Sequence, residues 1–261
     1  MNSFTRGLFA LTLGMALICT AHAQNFNGAY IGGYAGGNQG NSDAHTFTVF
    51  SSSGYFATSS VPAIAAAGNQ NMTPSGFSGG GTAGLNLQHK SLVYGGEMDF
   101  GSMSMSASAV TGPVQYPCCP PTPTSPNNFT VTQNISTDWL FTGRGRLGFA
   151  TGRMLIYGTG GLAAASFNYQ ALFTDTFAAA HESGGVNQKR KGFIGGGGSE
   201  FRMGRHWSLK GEFLFADFFQ GQAVSLNLAA FTAPTPFPTN AFTHKADLNA
   251  KIFRSGFNYH F

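Results

Sequence analysis

Residues of alternating character recur along this chain with a period of two. At the C-terminal end Phe253, Ser255, Phe257, Tyr259 and Phe261 share one phase, and Arg254, Gly256, Asn258 and His260 share the other. The same alternation runs through Trp207, Leu209, Gly211, Phe213 and Phe215 against Ser208, Lys210 and Glu212. It returns in Trp139, Phe141, Gly143, Gly145, Leu147 and Phe149 against Thr142, Arg144, Arg146 and Gly148, and in Leu92, Tyr94, Gly96, Met98 and Phe100 against Glu97 and Asp99. A period of two is the mark of a strand with two different faces. Glycine-richer stretches at 28–37, 77–88, 154–169 and 192–203 complete a set of eight predicted strands, with Glu200 and Arg202 on the polar phase of the last.

The connections alternate in predicted length. Short turns fall at His89-Lys90-Ser91, Thr151-Gly152-Arg153 and Gly204-Arg205-His206. Long connections are expected over 38–76, 103–136, 170–191 and 220–246. Whether Thr46 to Phe50 and Ser225 to Leu228 lengthen hairpins or add two strands is open at this level.

Composition decides which solvent the apolar phase meets. Charged residues are 9% of the chain, against about 25% in an ordinary soluble domain. The chain opens with Arg6, an apolar run from Gly7 to Ile18 and the small-x-small site Ala21-His22-Ala23. That order reads as a secretory signal peptide over 1–23, leaving a single domain over 24–261. Ile18 before Cys19 argues against a lipoprotein anchor. Beyond the signal, no stretch reaches the roughly 18 apolar residues that a membrane helix needs. An exported, charge-poor, strand-rich chain then has one way to cross a bilayer, a closed barrel. The expected fold is all-β: an eight-stranded antiparallel up-and-down transmembrane barrel with short periplasmic turns and four long extracellular loops.

The polar phase carries Glu97, Asp99, Glu200 and Glu212 against Arg144, Arg146, Arg202, Lys210 and Arg254. Inside a narrow barrel, buried charges are costly unless paired. The set therefore reads as a lumen salt-bridge network, and alternatively as the lining of a narrow channel for small solutes or ions.

Several of these stretches resemble a known family. They are Gly28 to Gly37, Gly95-Gly96-Glu97-Met98-Asp99-Phe100, Gly143 to Gly148, Trp207 to Phe213 and the ending Arg254 to Phe261. In this order they are similar to the opacity-type, OmpA-like family of small outer-membrane barrels. The resemblance implies location in the cell outer membrane, surface-exposed loops, a monomer and contact with outer-membrane lipids. It also implies insertion by the barrel-assembly machinery, which would read the final Phe257, Tyr259 and Phe261. Host or envelope partners would meet the loops.

Other motifs weigh less. Gly79 to Gly84 and Gly143 to Gly148 fit the glycine spacing of dinucleotide loops, but no helical periodicity follows either one. His206, Ser208 and Glu212 have the residue types of a hydrolase, yet His206 sits in an expected periplasmic turn with Ser208 just inside the strand, on the side away from lipid A; the chain reads as a non-enzyme. Cys118 and Cys119 suggest a loop disulfide, and two adjacent cysteines cannot complete a zinc site. No cofactor, metal or nucleic acid is expected. Lys189, Arg190 and Lys191 are placed at the outer rim, a candidate contact for lipopolysaccharide phosphates. Trp139, Trp207, Tyr30, Tyr94 and Tyr259 are candidates for the aromatic girdles.

Overall fold

A computed structural model describes residues 25–122 and 126–261; the signal-peptide segment lies outside the described residues. Eight long strands form the body: β1 Gly28–Thr48, β2 Ser75–His89, β3 Leu92–Gln115, β4 Asn128–Thr151, β5 Met154–Asp175, β6 His181–Arg202, β7 Trp207–Ser225 and β8 Phe242–His260. Each pairs antiparallel with the next. β8 returns to β1 in continuous register from Tyr30 opposite His260 to Thr48 opposite Phe242. The ring is closed, so no strand edge is left unpaired within the bilayer.

All eight strands run further than the lipid-facing alternation predicts. The four outer connections shrink to 49–74, 116–127, 176–180 and 226–241. The first holds helix α1, Ser60–Ala67, and a short strand, Asn69–Met72, paired to β1. Both ambiguous segments resolve in favour of longer hairpins: Thr46 to Thr48 end β1 and Ser225 ends β7.

The polarity of the two faces inverts partway along the longer strands. On β3, Tyr94, Met98 and Phe100 face out while Glu97 and Asp99 face in. Further up, Ser102, Ser104, Ser106 and Ser108 face out while Met103 and Met105 are buried inside. The lower half is built for lipid outside and charge inside; the upper half is built for water outside and a core inside. On β4 a register shift between Ser136 and Leu140 changes the inward phase from Phe129, Val131 and Gln133 to Thr142, Arg144 and Arg146. Such a bulge re-aims the side chains that follow it.

Glycines on the two faces do different jobs. A Cβ at Gly84 would lie 2.3 Å from the Tyr30 hydroxyl and 2.4 Å from its ring, whereas one at Gly143 would meet nothing within 4 Å. Gly84 makes room for an inward tyrosine, and Gly143 exposes backbone to lipid. We therefore expect Gly84→Val to destabilise the barrel by about 1–3 kcal/mol through overpacking, and Gly143→Ala to change stability by under about 0.5 kcal/mol. Urea unfolding of the two variants in lipid vesicles checks the difference.

Candidate functional site

The interior is the chemically dense part of the molecule, and it is layered. At the periplasmic end Phe26, Val93, Ala150, Leu155 and Tyr157 pack together. Above them lies a layer of charge drawn from five strands. Glu97 and Arg144 stand directly opposite in the β3–β4 register and are ion-paired, as are Glu212 and Arg254 between β7 and β8. Arg144 also reaches Asp99 at 2.8 Å and Glu212 at 3.4 Å. Arg254 reaches Asp99 at 3.0 Å, Lys210 reaches Glu97 at 2.8 Å, and Arg146 reaches Glu200 at 2.9 Å. The layer thus holds four carboxylates and four cations, each of them buried.

Arg202 faces inward as the alternation predicts but does not join this layer. Its guanidinium donates to the backbone carbonyls of Arg205 and Asn25 and lies over the Phe26 ring, 5.4 Å from its centroid. Its departure is what leaves the charges equal in number.

Three inward tyrosines complete the layer, and sequence alternation alone missed them. Tyr30, expected in an aromatic girdle, is only 1% exposed. Its hydroxyl donates to Glu97 at 2.7 Å and accepts from Arg146 at 2.8 Å. Tyr157 donates to Glu212 at 2.7 Å, and the Arg146 guanidinium lies 3.9 Å from the centre of its ring. Arg254 lies 4.2 Å from the centre of the Tyr34 ring. Of the other girdle candidates, Trp207, Tyr94 and Tyr259 have rings that reach the outer face.

Above the charges sits an apolar layer that includes Met103, Met105, Leu140, Phe167, Ile194, Leu214, Phe218 and Ile252. Above that lies a second polar cluster, also unanticipated. His244 Nε2 stands 3.2 Å from Glu182 Oε1 and 3.3 Å from the Ser225 hydroxyl, and Nδ1 stands 3.0 Å from the Thr46 hydroxyl. Gln133 accepts from Tyr169 and donates to the Gly68 carbonyl at the end of α1. The topmost layer is a second apolar core in which Phe56, Ile64, Tyr116, Phe129, Phe173, Leu228 and Phe242 meet beneath the outer connections.

Asp175 ties that cap together. Its Oδ2 accepts from the Tyr55 hydroxyl at 2.6 Å and the Tyr116 hydroxyl at 2.9 Å, while Oδ1 accepts from the Ala180 amide at 2.8 Å. Burial pushes both tyrosine hydroxyls well above their ordinary value, and the Asp175 carboxylate pushes them further. A raised value favours the neutral donor, so this contribution is whole below about pH 10 and erodes only above it.

The remaining candidates fall as follows. His206, Ser208 and Glu212 are not assembled: Ser208 donates to Glu200 and lies 3.0 Å from His260 Nε2, while Glu212 belongs to the charge layer. Arg190 lies inside the upper barrel over the Phe167 ring and donates to the Phe219 carbonyl, because it occupies an inward phase of β6 rather than a loop. Lys189 and Lys191 flank it on the outer face. Cys118 and Cys119 are bonded to each other in the 116–127 connection, with the Cys118 sulfur 3.4 Å from the Ser60 hydroxyl of α1. Phe257 and Tyr259 lie on the outer face of β8, and Phe261, just beyond it, is 70% exposed. Among the described residues no group of three metal-binding side chains is present.

Removing one member of the charge layer strands its partners. Arg144→Met should cost about 3–5 kcal/mol, because Glu97 and Asp99 lose a buried counter-charge; unfolding in vesicles measures it. Asp175→Ala should cost less, about 1–3 kcal/mol, by leaving the Tyr55 and Tyr116 hydroxyls without their acceptor, while speeding proteolysis within 49–74 and 116–127. Equal cleavage rates for variant and wild type would dismiss Asp175 as the tie.

The chain has relatives among known outer-membrane proteins. The chain is 29% identical over 248 residues to the 31 kDa outer-membrane immunogenic protein of Brucella melitensis, covering 91% of this chain and 84% of that one. The protein of the same name from Brucella suis matches to the same extent. Among solved structures, the outer membrane protein OprG from Pseudomonas aeruginosa is 12% identical with a TM-score of 0.43, covering 92% of this chain and 99% of that one. The sequence profile of the outer membrane protein beta-barrel domain matches residues 8–261, and with it the chain belongs to that family of outer-membrane barrels.

Proposed function

We propose that this protein is a closed outer-membrane barrel with a structural and surface-interaction role, and that it neither conducts nor catalyses. One observation carries this reading: buried charged, apolar and polar side chains succeed one another in layers up the interior. An eight-stranded barrel has an interior just wide enough for side chains to fill. A continuous water path would have to cross two apolar layers, one around Phe218 and Met103 and one around Phe129 and Phe173. The charge layer serves as a polar core that zips the lower lumen shut.

Function then belongs to the outer surface. The Brucella relatives are named as immunogenic outer-membrane proteins, a name that suits a barrel presenting its outer connections to the exterior. Host or envelope partners would meet those connections. Lys189 and Lys191 face out just above Phe193, the last large apolar residue on the outer face of β6. They stand at a height suited to lipopolysaccharide phosphates; Arg190 does not. Phe257, Tyr259 and Phe261 are the residues the barrel-assembly machinery would read, and the barrel acts as a monomer.

Planar-bilayer recording separates this reading from the porin-like channel. Protein whose folding is verified by the mobility difference between unheated and boiled samples should give no discrete openings. Phe218→Ala combined with Met103→Ala should introduce brief openings. Stable openings from the wild-type barrel would overturn the proposal and make Arg144, Arg146, Glu97 and Glu212 the lining of a channel.

A further inference from the structure

The four outer connections share an unusual property. None of 49–74, 116–127, 176–180 and 226–241 contains an Asp, Glu, Lys, Arg or His. A water-facing protein surface ordinarily carries charge on about a quarter or more of its residues. The nearest ionisable groups are His181 at the start of β6 and Asp175, whose carboxylate is already engaged by Tyr55, Tyr116 and Ala180.

This uncharged tip holds exposed aromatic side chains in fixed positions. Phe177 is 49% exposed and Phe231 is 50% exposed. They stand at opposite ends of a run of rings in contact: Phe177 with Tyr55 at 6.3 Å, Tyr55 with Phe237 at 5.4 Å, and Phe237 with Phe231 at 6.2 Å between centroids. The connections that carry them are linked by the Phe231 amide, which donates to the Ala178 carbonyl at 2.6 Å. Phe231 has φ +73°, a conformation rare for a bulky side chain and held here by that link and by its neighbours. Val49, Phe50 and Leu226 add exposed apolar surface at the same end. The run is preorganised, so ordering it on contact costs little.

We propose that this tip docks onto the interface of an apposed, electrically neutral lipid bilayer, with Phe177 and Phe231 entering between the headgroups. The chemistry fits lipid better than a protein partner. The four connections have no formal charge with which to attract anionic headgroups, so apolar burial is what they offer, and that suits a neutral interface. Arg and Trp, which with Tyr dominate protein–protein hot spots, are absent from the four connections. The geometry fits as well. β6 continues for 12 residues beyond its lipid-facing band, from Phe193 to His181, and β3 for 15, from Phe100 to Gln115. They lift the tip roughly 30–40 Å outward along the barrel axis, so all four connections meet an opposing membrane together.

The test uses the whole barrel in nanodiscs, mixed with sucrose-loaded phosphatidylcholine vesicles and sedimented. Wild-type barrels should co-sediment, with binding unchanged between low and high salt because no charge is involved. Phe177→Ser and Phe231→Ser should each lower the partition coefficient about tenfold, while Ser51→Ala, also in the first connection, should not. Mobility of unheated samples verifies that each variant is folded. The proposal is overturned if the double serine variant binds as well as wild type. It is equally overturned if binding needs anionic lipid and falls with salt, or if the discs pair with one another and ignore the vesicles, which would make a second copy the partner.

Discussion

Two solvents act on one set of strands, and most of the structure answers to that fact. Within the bilayer every backbone group must find a partner inside the protein, which is why β8 closes onto β1 without a gap. The same strands then leave the lipid and continue into water. There the outward face needs polar side chains and the inward face needs apolar ones, so the pattern inverts without any break in the ladder. Ser102 to Ser108 on the outside of β3, over Met103 and Met105 on the inside, is the plainest example.

The charge layer and the apolar layers solve complementary problems. In the lower barrel apolar side chains are needed on the outside, so the inside is where the chain can place its polar residues. Eight buried charges are tolerable because the register sets opposite signs side by side, Glu97 against Arg144 and Glu212 against Arg254. Tyr30 and Tyr157 take up lone pairs that the ion pairs leave free. In the upper barrel the outside is already wetted, and the inside can be filled as in a soluble protein. On the proposed closed-lumen reading the change of filling matters, since an ion that tolerated the charges would still face Phe218 and Leu214.

The sequence makes the lower half legible and hides the upper half, for a physical reason. Where lipid is the outer solvent, bulky apolar residues alternate with charges, and the contrast is strong enough to place eight strands and nearly every lumen charge. Where water is the outer solvent, Ser, Asn and Gly alternate with Ala, Met and Gly. That contrast is weak, so 103–115 and 181–191 read as low-complexity loop when they are strand. The misplacement of Arg190 follows directly: a three-residue basic run looks like a solvated rim, but on a strand its middle member must face the other way. Tyr30 was misplaced for a related reason. Its immediate outward neighbours are Ala29 and Ile31, so both phases carry apolar residues, and the decisive clue is the space left by Gly84 on the adjoining strand. His244 and Glu182 are distant in sequence and meet only through closure of the ring.

The outer connections also belong to the folded core rather than hanging from it. Phe56 and Ile64 from the first, Tyr116 from the second, Ala180 from the third and Leu228 from the fourth are buried together with the strand residues Phe129, Phe173 and Phe242. A loop whose aromatic residues fill a shared core cannot vary freely, because each truncated ring would leave a cavity for the other three connections. Freedom to vary is left to the residues that face outward from the cap. Packing therefore makes the tip of this barrel a composite surface, with position set by the strands, rigidity set by the cap beneath it, and chemistry set by the few side chains left outside.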